Sequence, residues 1–446
     1  PHFSSGKWTG TMNLTEPHCG TDLGLIKTKA EPNKDGSYSI TGTKIFISAG
    51  EHDLSENIIH LVLAKAPNSP PGIKGISLFI VPKFLSKEDG SLGERNNVEC
   101  GSIEEKMGIK ASSTCVMNYD SAKGYLLGEL NKGMKAMFIM MNEARLGVGI
   151  QGLGMSEVAF QSAAAYSKER LQGRSLKAPT NPELKADPII VHPDVRRMLL
   201  TIKSFNEGAR ALSVWIALNL DISELHPDEE TRRDASDFVA LMTPIAKAFM
   251  TDVGFENVNL ALQCYGGHGY IKDHGMEQLV RDTRITQLYE GTSGIQALDL
   301  VGRKLPKNVG RLLRQFFHPV DSFIKENLSN NQMMDLILPL AKSFARLQQA
   351  SGWIAENGLS DPRQAAGASS DYLRLFGIVA LGFMWARMAK VSMLEINLDG
   401  ADKGFHTNKI NLAKFYMSKI IPESSSLLSK ILAGSETLMQ PEAIDF

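Results

Sequence analysis

Arg281-Asp282-Thr283-Arg284-Ile285-Thr286-Gln287-Leu288-Tyr289-Glu290-Gly291-Thr292-Ser293-Gly294-Ile295-Gln296 is the stretch on which the reading of this chain turns. Before it, residues 275–286 have helix-compatible composition, and after it Gly294 to Leu305 again reads as a helix. Glu290 stands on the joint between them. Gly291 beside it lets the backbone approach a ligand with no Cβ in the way. Thr292 suits the cap position of the second helix, which leaves backbone N–H groups free near its start. A carboxylate held on a short joint between two helices is placed like a general base. On spacing alone, a surface Glu at a helix break explains the same residues equally well.

Upstream of this joint the texture is helical back to about Asn131. Residues 131–170 carry Met, Ala, Leu and Ile at helical spacing without proline. His192-Pro193-Asp194 marks a further helix start, with Asp194 as the cap, running to about Leu220, and another helix begins after Pro227. Residues 10–120 read instead as β-rich. Tyr38–Ser48 is strand-like after the Asp35-Gly36 turn signal. Ile58–Ala64 and Ile73–Val81 are short apolar runs, and short strands are expected near Val98–Glu99 and Cys115–Tyr119. Downstream of Pro306 helices are expected over roughly 309–327, 332–357, 370–397 and 406–433, with loops at 358–369 and 398–405. The expected fold class is α+β: a β-barrel or sandwich domain (1–125), a helical bundle (126–305) and an extra C-terminal helical domain (306–446).

With 446 residues the chain is long enough for two or three domains. Apolar (43%) and charged (22%) contents are those of a globular protein, and a net charge of −1 gives no electrostatic case for nucleic acid or an anionic membrane. Cys19, Cys100, Cys115 and Cys264 form no CxxC pair, which argues for a reducing, cytoplasmic setting and against a disulfide framework or a metal site. No apolar run approaches the roughly 20 residues of a membrane span. The chain begins at Pro1 with neither Met nor a signal-peptide pattern, so a fragment or processed form is expected.

Tyr289-Glu290-Gly291-Thr292-Ser293-Gly294-Ile295-Gln296 resembles the catalytic loop of the acyl-CoA dehydrogenase family, whose Glu removes the α-proton of an acyl-CoA thioester. Other segments resemble that family in the same order along the chain. Met12-Asn13-Leu14-Thr15-Glu16-Pro17-His18-Cys19-Gly20-Thr21-Asp22 is similar to its first flavin-binding segment, with Thr21 for the usual Ser and His18-Cys19 for the usual Gly-Ala. Lys44-Ile45-Phe46-Ile47-Ser48 is similar to the second, where an aromatic residue covers the ring and a hydroxyl meets its edge. Asn142-Glu143-Ala144-Arg145 resembles the segment whose Arg supports the catalytic loop, and Tyr166–Arg170 the one whose Arg reaches the flavin pyrophosphate. The usual Phe-Gly continuation is replaced by Leu171-Gln172-Gly173-Arg174. Gln263-Cys264-Tyr265-Gly266-Gly267-His268-Gly269 resembles the lining of a flavin bound mainly by a neighbouring subunit. Read alone, that glycine cluster is a helix C-cap and tight turn, and Arg145 and Arg170 are ordinary helical charges.

The resemblance implies FAD as cofactor, held by Met12, Leu14, Thr15, Gly20, Thr21, Phe46, Ser48, Arg170, Gln263, Gly266, Gly267 and Thr292. It implies acyl-CoA contacts at Thr21, Arg145, Tyr289 and Gly291, with Glu290 as the base and hydride leaving for flavin N5. An electron-transfer flavoprotein as electron acceptor and a homodimer or dimer of dimers follow from the same resemblance, and the family's N-terminal helical domain would precede Pro1. The segment after 306, the insertion-rich Phe84–Val98, Gly50–Asp53 and Val301–Leu305 resemble the long bacterial members that act in dimethylsulfoniopropionate breakdown. A short or medium acyl-CoA is therefore expected as substrate, with 3-methylmercaptopropionyl-CoA one candidate. The alternative is a DNA-associated flavoprotein of the alkylation-damage response, whose basic face would hold Lys409, Lys414 and Lys419.

Overall fold

The computed structural model describes residues 2–445 and divides into two compact units, Pro1–Glu143 and Ala144–Phe446. The strands of the first unit are β1 (Trp8–Asn13), β2 (Lys29–Pro32), β3 (Tyr38–Ser48), β4 (Asn57–Lys65), β5 (Ile76–Pro82), β6 (Phe84–Ser86), β7 (Leu92–Arg95), β8 (Val98–Ile103) and β9 (Thr114–Leu126). Pairing runs β4–β2–β3–β9–β5 and back to β4, so the sheet closes on itself and leaves no open edge within that ring. β1 adds to β4 in parallel and β8 adds to β9. Inward residues Ile40, Val62, Ala64, Phe79, Val81, Met117 and Ala122 fill the interior. The Asp35-Gly36 signal forms the β2–β3 turn, where Gly36 has φ 81° and Ser37 N–H donates to Asp35 Oδ1 at 3.0 Å. The expected strand from Ile73 begins instead at Ile76, because Gly72–Gly75 forms a 3-10 turn first. The insertion-rich stretch folds as the separate β6–β7 hairpin.

Four polar side chains form a buried chain in this unit. Tyr119 donates to Asn13 Oδ1 at 2.8 Å, Asn13 Nδ2 to Thr11 Oγ1 at 2.7 Å, and Thr11 Oγ1 meets His60 Nδ1 at 2.7 Å. His60 is fully buried. Burial pushes its imidazole down to about 4, with Glu51 opposing and Lys83 adding to the shift. Between that value and the usual 6.5 the unfolded chain binds a proton that the folded chain does not, so stability falls as pH falls through this window. At ~1.36 kcal/mol per unit the loss approaches about 3 kcal/mol. Melting temperatures of the wild type and of His60→Gln between pH 7 and 4.5 check this; the wild-type curve should be the steeper.

Helix α1 (Gly133–Glu169) opens the helical part, followed by α2 (Pro193–Leu225), α3 (Glu229–Tyr265), the short α4 (Gly267–Tyr270), α5 (Met276–Arg284) and α6 (Ser293–Asp299). Then come α7 (Arg311–Asn327), α8 (Met334–Ser360), α9 (Pro362–Glu395), α10 (Lys403–Phe415), α11 (Glu423–Leu432) and α12 (Glu436–Met439). One core joins Phe205, Leu212 and Phe249 of α2 and α3 to Phe316, Leu336, Phe376 and Trp385 of α7 to α9, so residues after 306 share their interior with those before it. α1 and α3 cross at glycines: a Cβ on Gly152 would lie 2.7 Å from Met250 O, and one on Gly254 2.7 Å from Gly152 O. α3 and α9 are each apolar enough over 18 residues to cross a bilayer, but 72% and 78% of those windows are buried inside the protein, as in core helices.

Three expectations need correction. Asp194 does not cap α2: Pro193 takes the first helical position after His192, and Asp194 sits in the first turn, paired with Arg197 at 2.8 Å. That helix also runs on to Leu225. The loop expected over 358–369 is reduced to a break at Asp361, whose carboxylate accepts from Arg363 N–H at 3.0 Å while Pro362 restarts the helix.

Candidate active site

After α5, one 3-10 turn (Ile285–Gln287) leads into residues 288–292 and then α6. Glu290 has φ 55° and Gly291 φ 88°, so two successive left-handed residues reverse the chain. The φ of 88° favours glycine at 291, where a Cβ would also lie 2.4 Å from Gln296 Nε2 and force that amide to shift. A left-handed Glu costs on the order of 1 kcal/mol and persists only where its surroundings hold it. Here both carbonyls are drawn into the bundle. Glu290 O accepts from Arg145 Nε at 3.4 Å and Gln296 Nε2 at 3.2 Å. Gly291 O accepts from Lys247 Nζ at 2.7 Å. Ser293 Oγ and Gln287 Nε2 both donate to Asp252 Oδ1 at 2.7 Å, which ties the two ends of the loop to α3. Tyr289 donates to Gln151 of α1. Thr292 is the cap expected from sequence, accepting from Ile295 N–H at 3.3 Å. With the carbonyls facing inward, the N–H groups of Glu290 and Gly291 have no acceptor among the described residues.

The electrostatics suit a proton acceptor. Glu290 is half-buried, and burial lifts its carboxyl above the usual carboxylate value, against the pull of Arg145 and Lys247. Arg145 is only 6% exposed, which answers whether it is an ordinary surface charge. Lys247 is fully buried, and burial brings its ammonium down to about 8 against the opposing Asp252 and Glu290. The sequence reading missed Lys247, Gln296, Gln151 and Asp252. Lys247 had a visible signal: a lone cation inside the apolar run Pro244–Met250.

The expected flavin residues fall in two groups. In the first unit, Glu16 ties a turn onto β3. Its carboxylate accepts from Lys44 Nζ at 2.9 Å, Thr28 Oγ1 at 2.6 Å, Thr28 N–H at 3.1 Å and Lys27 N–H at 2.7 Å. Glu16, His18 and Cys19 have ligand atoms close enough for a metal, yet those four donors already occupy the carboxylate. Ile45 N–H donates to Thr15 O at 2.9 Å, which sets the Thr15–Thr21 turn against the β-bulge between Lys44 and Ile47. On that bulge Phe46 adopts φ 59° and leaves its ring 60% exposed. Thr15, Thr21 and Ser48 offer hydroxyls without a partner among the described residues, and Gly20 lies against the Thr15 side chain. Met12 and Leu14 are half-buried against a small apolar cluster that includes Leu23, Leu78 and Met137.

In the second unit, Tyr166 of α1 stacks on Tyr265 of α3 with ring centroids 4.0 Å apart. This stack brings exposed Arg170, just past α1, to the end of α3 that carries exposed Gln263, Gly266 and Gly267. A Cβ at either glycine would meet open space. At 1.5 Å per residue, this group lies roughly 25–40 Å along the helices from Arg145 and Lys247. It does not converge on Glu290 within its unit.

Three family descriptions match the chain: "Acyl-CoA dehydrogenase, middle domain" over residues 11–122, "Acyl-CoA dehydrogenase, C-terminal domain" over 131–305, and "Acetyl-CoA dehydrogenase C-terminal like" over 316–442. A 3-methylmercaptopropionyl-CoA dehydrogenase of Ruegeria pomeroyi is 41% identical over 436 residues, covering 98% of this chain and 73% of that one. A butyryl-CoA dehydrogenase of Syntrophomonas wolfei is 34% identical, covering 99% and 74%. The crystal structure of an acyl-CoA dehydrogenase from Bacillus anthracis complexed with FAD has the same fold, with a TM-score of 0.73 at 22% identity over 95% of this chain and 68% of that one.

Proposed function

We propose that this chain, which belongs to the acyl-CoA dehydrogenase family, oxidises a short or medium acyl-CoA at its α and β carbons with Glu290 as the base. The observation that carries the assignment is the loop itself: a half-buried carboxylate on a left-handed joint, beside two N–H groups with no acceptor among the described residues. The Glu290 carboxylate takes the proton from the α-carbon. The Glu290 N–H is free to donate to the thioester oxygen, where charge develops; such a donor is worth about 2.7–4 kcal/mol. Arg145 and Gln296 hold the peptide that presents it.

The residues present fit FAD. The exposed Phe46 and the hydroxyls of Thr15, Thr21 and Ser48, unpartnered among the described residues, offer apolar cover and donors of the kind an isoalloxazine needs. Arg170 and the bare backbone at Gly266 and Gly267 suit a diphosphate. When bound, FAD would supply the two-electron acceptor that loss of the β-hydrogen requires. Because Arg170 and Gly266 lie so far from Glu290, we assign them to the cofactor of a second copy, which makes the active form at least a dimer. An electron-transfer flavoprotein is the proposed electron acceptor. The four free cysteines suit the reducing cytoplasm. Lys409 and Lys414 are paired with Glu207 and Asp335, so two of the three lysines of the face required by the DNA-associated alternative are neutralised, and that reading has no support.

Visible spectra of the purified protein test this reading directly. Bands of bound flavin should bleach on adding 3-methylmercaptopropionyl-CoA or butyryl-CoA, fastest with the thioether substrate and at least ~10-fold slower with palmitoyl-CoA, as a few kcal/mol of pocket discrimination allows. A chain that bleaches fastest with long straight chains would remove the short-substrate assignment.

A further inference from the structure

Lys247 lies where every side chain from Pro244 to Thr251 is buried. Its ammonium donates to Gly291 O at 2.7 Å and, among the described residues, has no carboxylate within ion-pair distance. Burying a cation with no direct ion pair is expensive, and an apolar side chain of similar size fills such a position without that cost. Packing alone therefore gives no reason for a lysine here. α1 packs directly on the α3 backbone at this level: a Cβ on Gly149 would lie 3.1 Å from Ala246 O and 3.5 Å from Lys247 Cα. The carbonyl that takes the ammonium belongs to the residue after the proposed base.

We propose that Lys247 is a positioning residue for proton abstraction: its ammonium pins the Glu290–Gly291 segment by the Gly291 carbonyl, which sets its charge one residue from the base. This rests on the reading of Glu290 as the base. The charged groups around the carboxyl come from three elements. Arg145 faces it from α1 and Lys247 from α3, where Asp252 in turn faces Lys247. Asp299 of α6 and Arg303 just after it act on Arg145. A neutral residue at 247 leaves Glu290 buried with Arg145 as its remaining cation, so its proton affinity rises. The lysine itself is charged at neutral pH and loses its proton near pH 8, so its grip on the loop weakens above that.

Carbon-13 titration of the Glu290 carboxyl in the flavin-free chain, assigned through its loss in Glu290→Gln, reads the charge effect without any turnover. In Lys247→Met and Lys247→Gln the inflection should move up by about one pH unit; an unmoved inflection overturns the proposal. In the flavin-loaded protein, Lys247→Met should bleach about 10–100-fold more slowly at nearly unchanged KM. Lys247→Gln should recover part of that loss, because its amide can still donate to Gly291 O. Wild-type rates in both variants overturn the positioning role. If neither variant folds, the wild type carries the test: its bleaching rate should fall as pH rises through about 8, and a rate flat to roughly pH 9.5 overturns it. Bleaching that survives Glu290→Gln while the carboxyl titration still shifts would sink the base assignment and leave the Lys247–Glu290 coupling standing.

Discussion

Glu290→Gln should keep its flavin and lose the reductive half-reaction, with bleaching by acyl-CoA slowed about 10²–10⁴-fold or more. The amide has nearly the volume of the carboxylate, so the left-handed joint, the Arg145, Gln296 and Lys247 bonds to its backbone, and the free N–H groups all remain. Only the proton acceptor is removed. Stopped-flow absorbance separates the two effects, because the oxidised flavin spectrum reports cofactor retention and its decay reports chemistry. The wild-type rate should also show an acid limb. Glu290 must be ionised to act, and burial holds its carboxyl above the usual value, so the rate rises with pH through an inflection above about 4.5. Glu290→Gln should lack that limb. Bleaching at the wild-type rate in this variant would leave the site without a base.

What was legible in the sequence followed the range of the forces involved. The joint at 288–292 was legible because its determinants are local: a glycine, which the turn favours, and a threonine whose hydroxyl caps the next helix. Lys247 and Asp252 lie some forty residues away, and their roles exist only once α3 packs beneath the loop. A buried lysine in an apolar run was a readable anomaly, but its partner is a carbonyl, which no sequence pattern marks. The shape of the Lys44–Ser48 segment was also hidden. Phe46 adopts its outward, left-handed conformation because a bulge interrupts pairing with β9, and the Thr15 carbonyl takes the Ile45 N–H instead. β1 and β2 were missed because they are short and bury few side chains; of β2, Ala30 alone is buried. The break at 361 failed for the opposite reason. Its signal, Asp361 followed by Pro362, is local and clear, but the Gly, Ser and Pro content of 358–369 reads as a loop. Those small residues serve packing: Gly367 lies against Ser435, where a Cβ would approach to 2.9 Å.

Lys44→Met should destabilise the β-rich unit by about 3 kcal/mol and weaken flavin binding with it. Lys44 is fully buried and Glu16 is 3% exposed, so this pair is unlike a surface ion pair. Removing one member of a buried pair typically costs about 3–5 kcal/mol, because the remaining charge stays out of water. The lower end applies here, since Thr28 and the Lys27 N–H still donate to the carboxylate. The lost ammonium also releases Leu14 O, to which it donates at 3.0 Å, so the Thr15–Thr21 turn loses its anchor on β3. The pH dependence separates this account from simple loss of packing. In the wild type, burial raises the Glu16 carboxyl, but Lys44 and the Thr28 and Lys27 donors outweigh it and hold it below the usual value. The pair's contribution is therefore lost as pH falls below about 4.5. In the variant the carboxyl is buried without its cation and its proton affinity rises, so protonation relieves the strain. The stability gap between wild type and variant should thus be widest near neutral pH and narrow on acidification. Adding Glu16→Gln to Lys44→Met removes the stranded charge and should recover part of the loss at neutral pH. Native-state hydrogen exchange at the β3 amides would measure these differences within the β-rich unit, and a gap that stays constant with pH would show that Lys44 contributes packing alone.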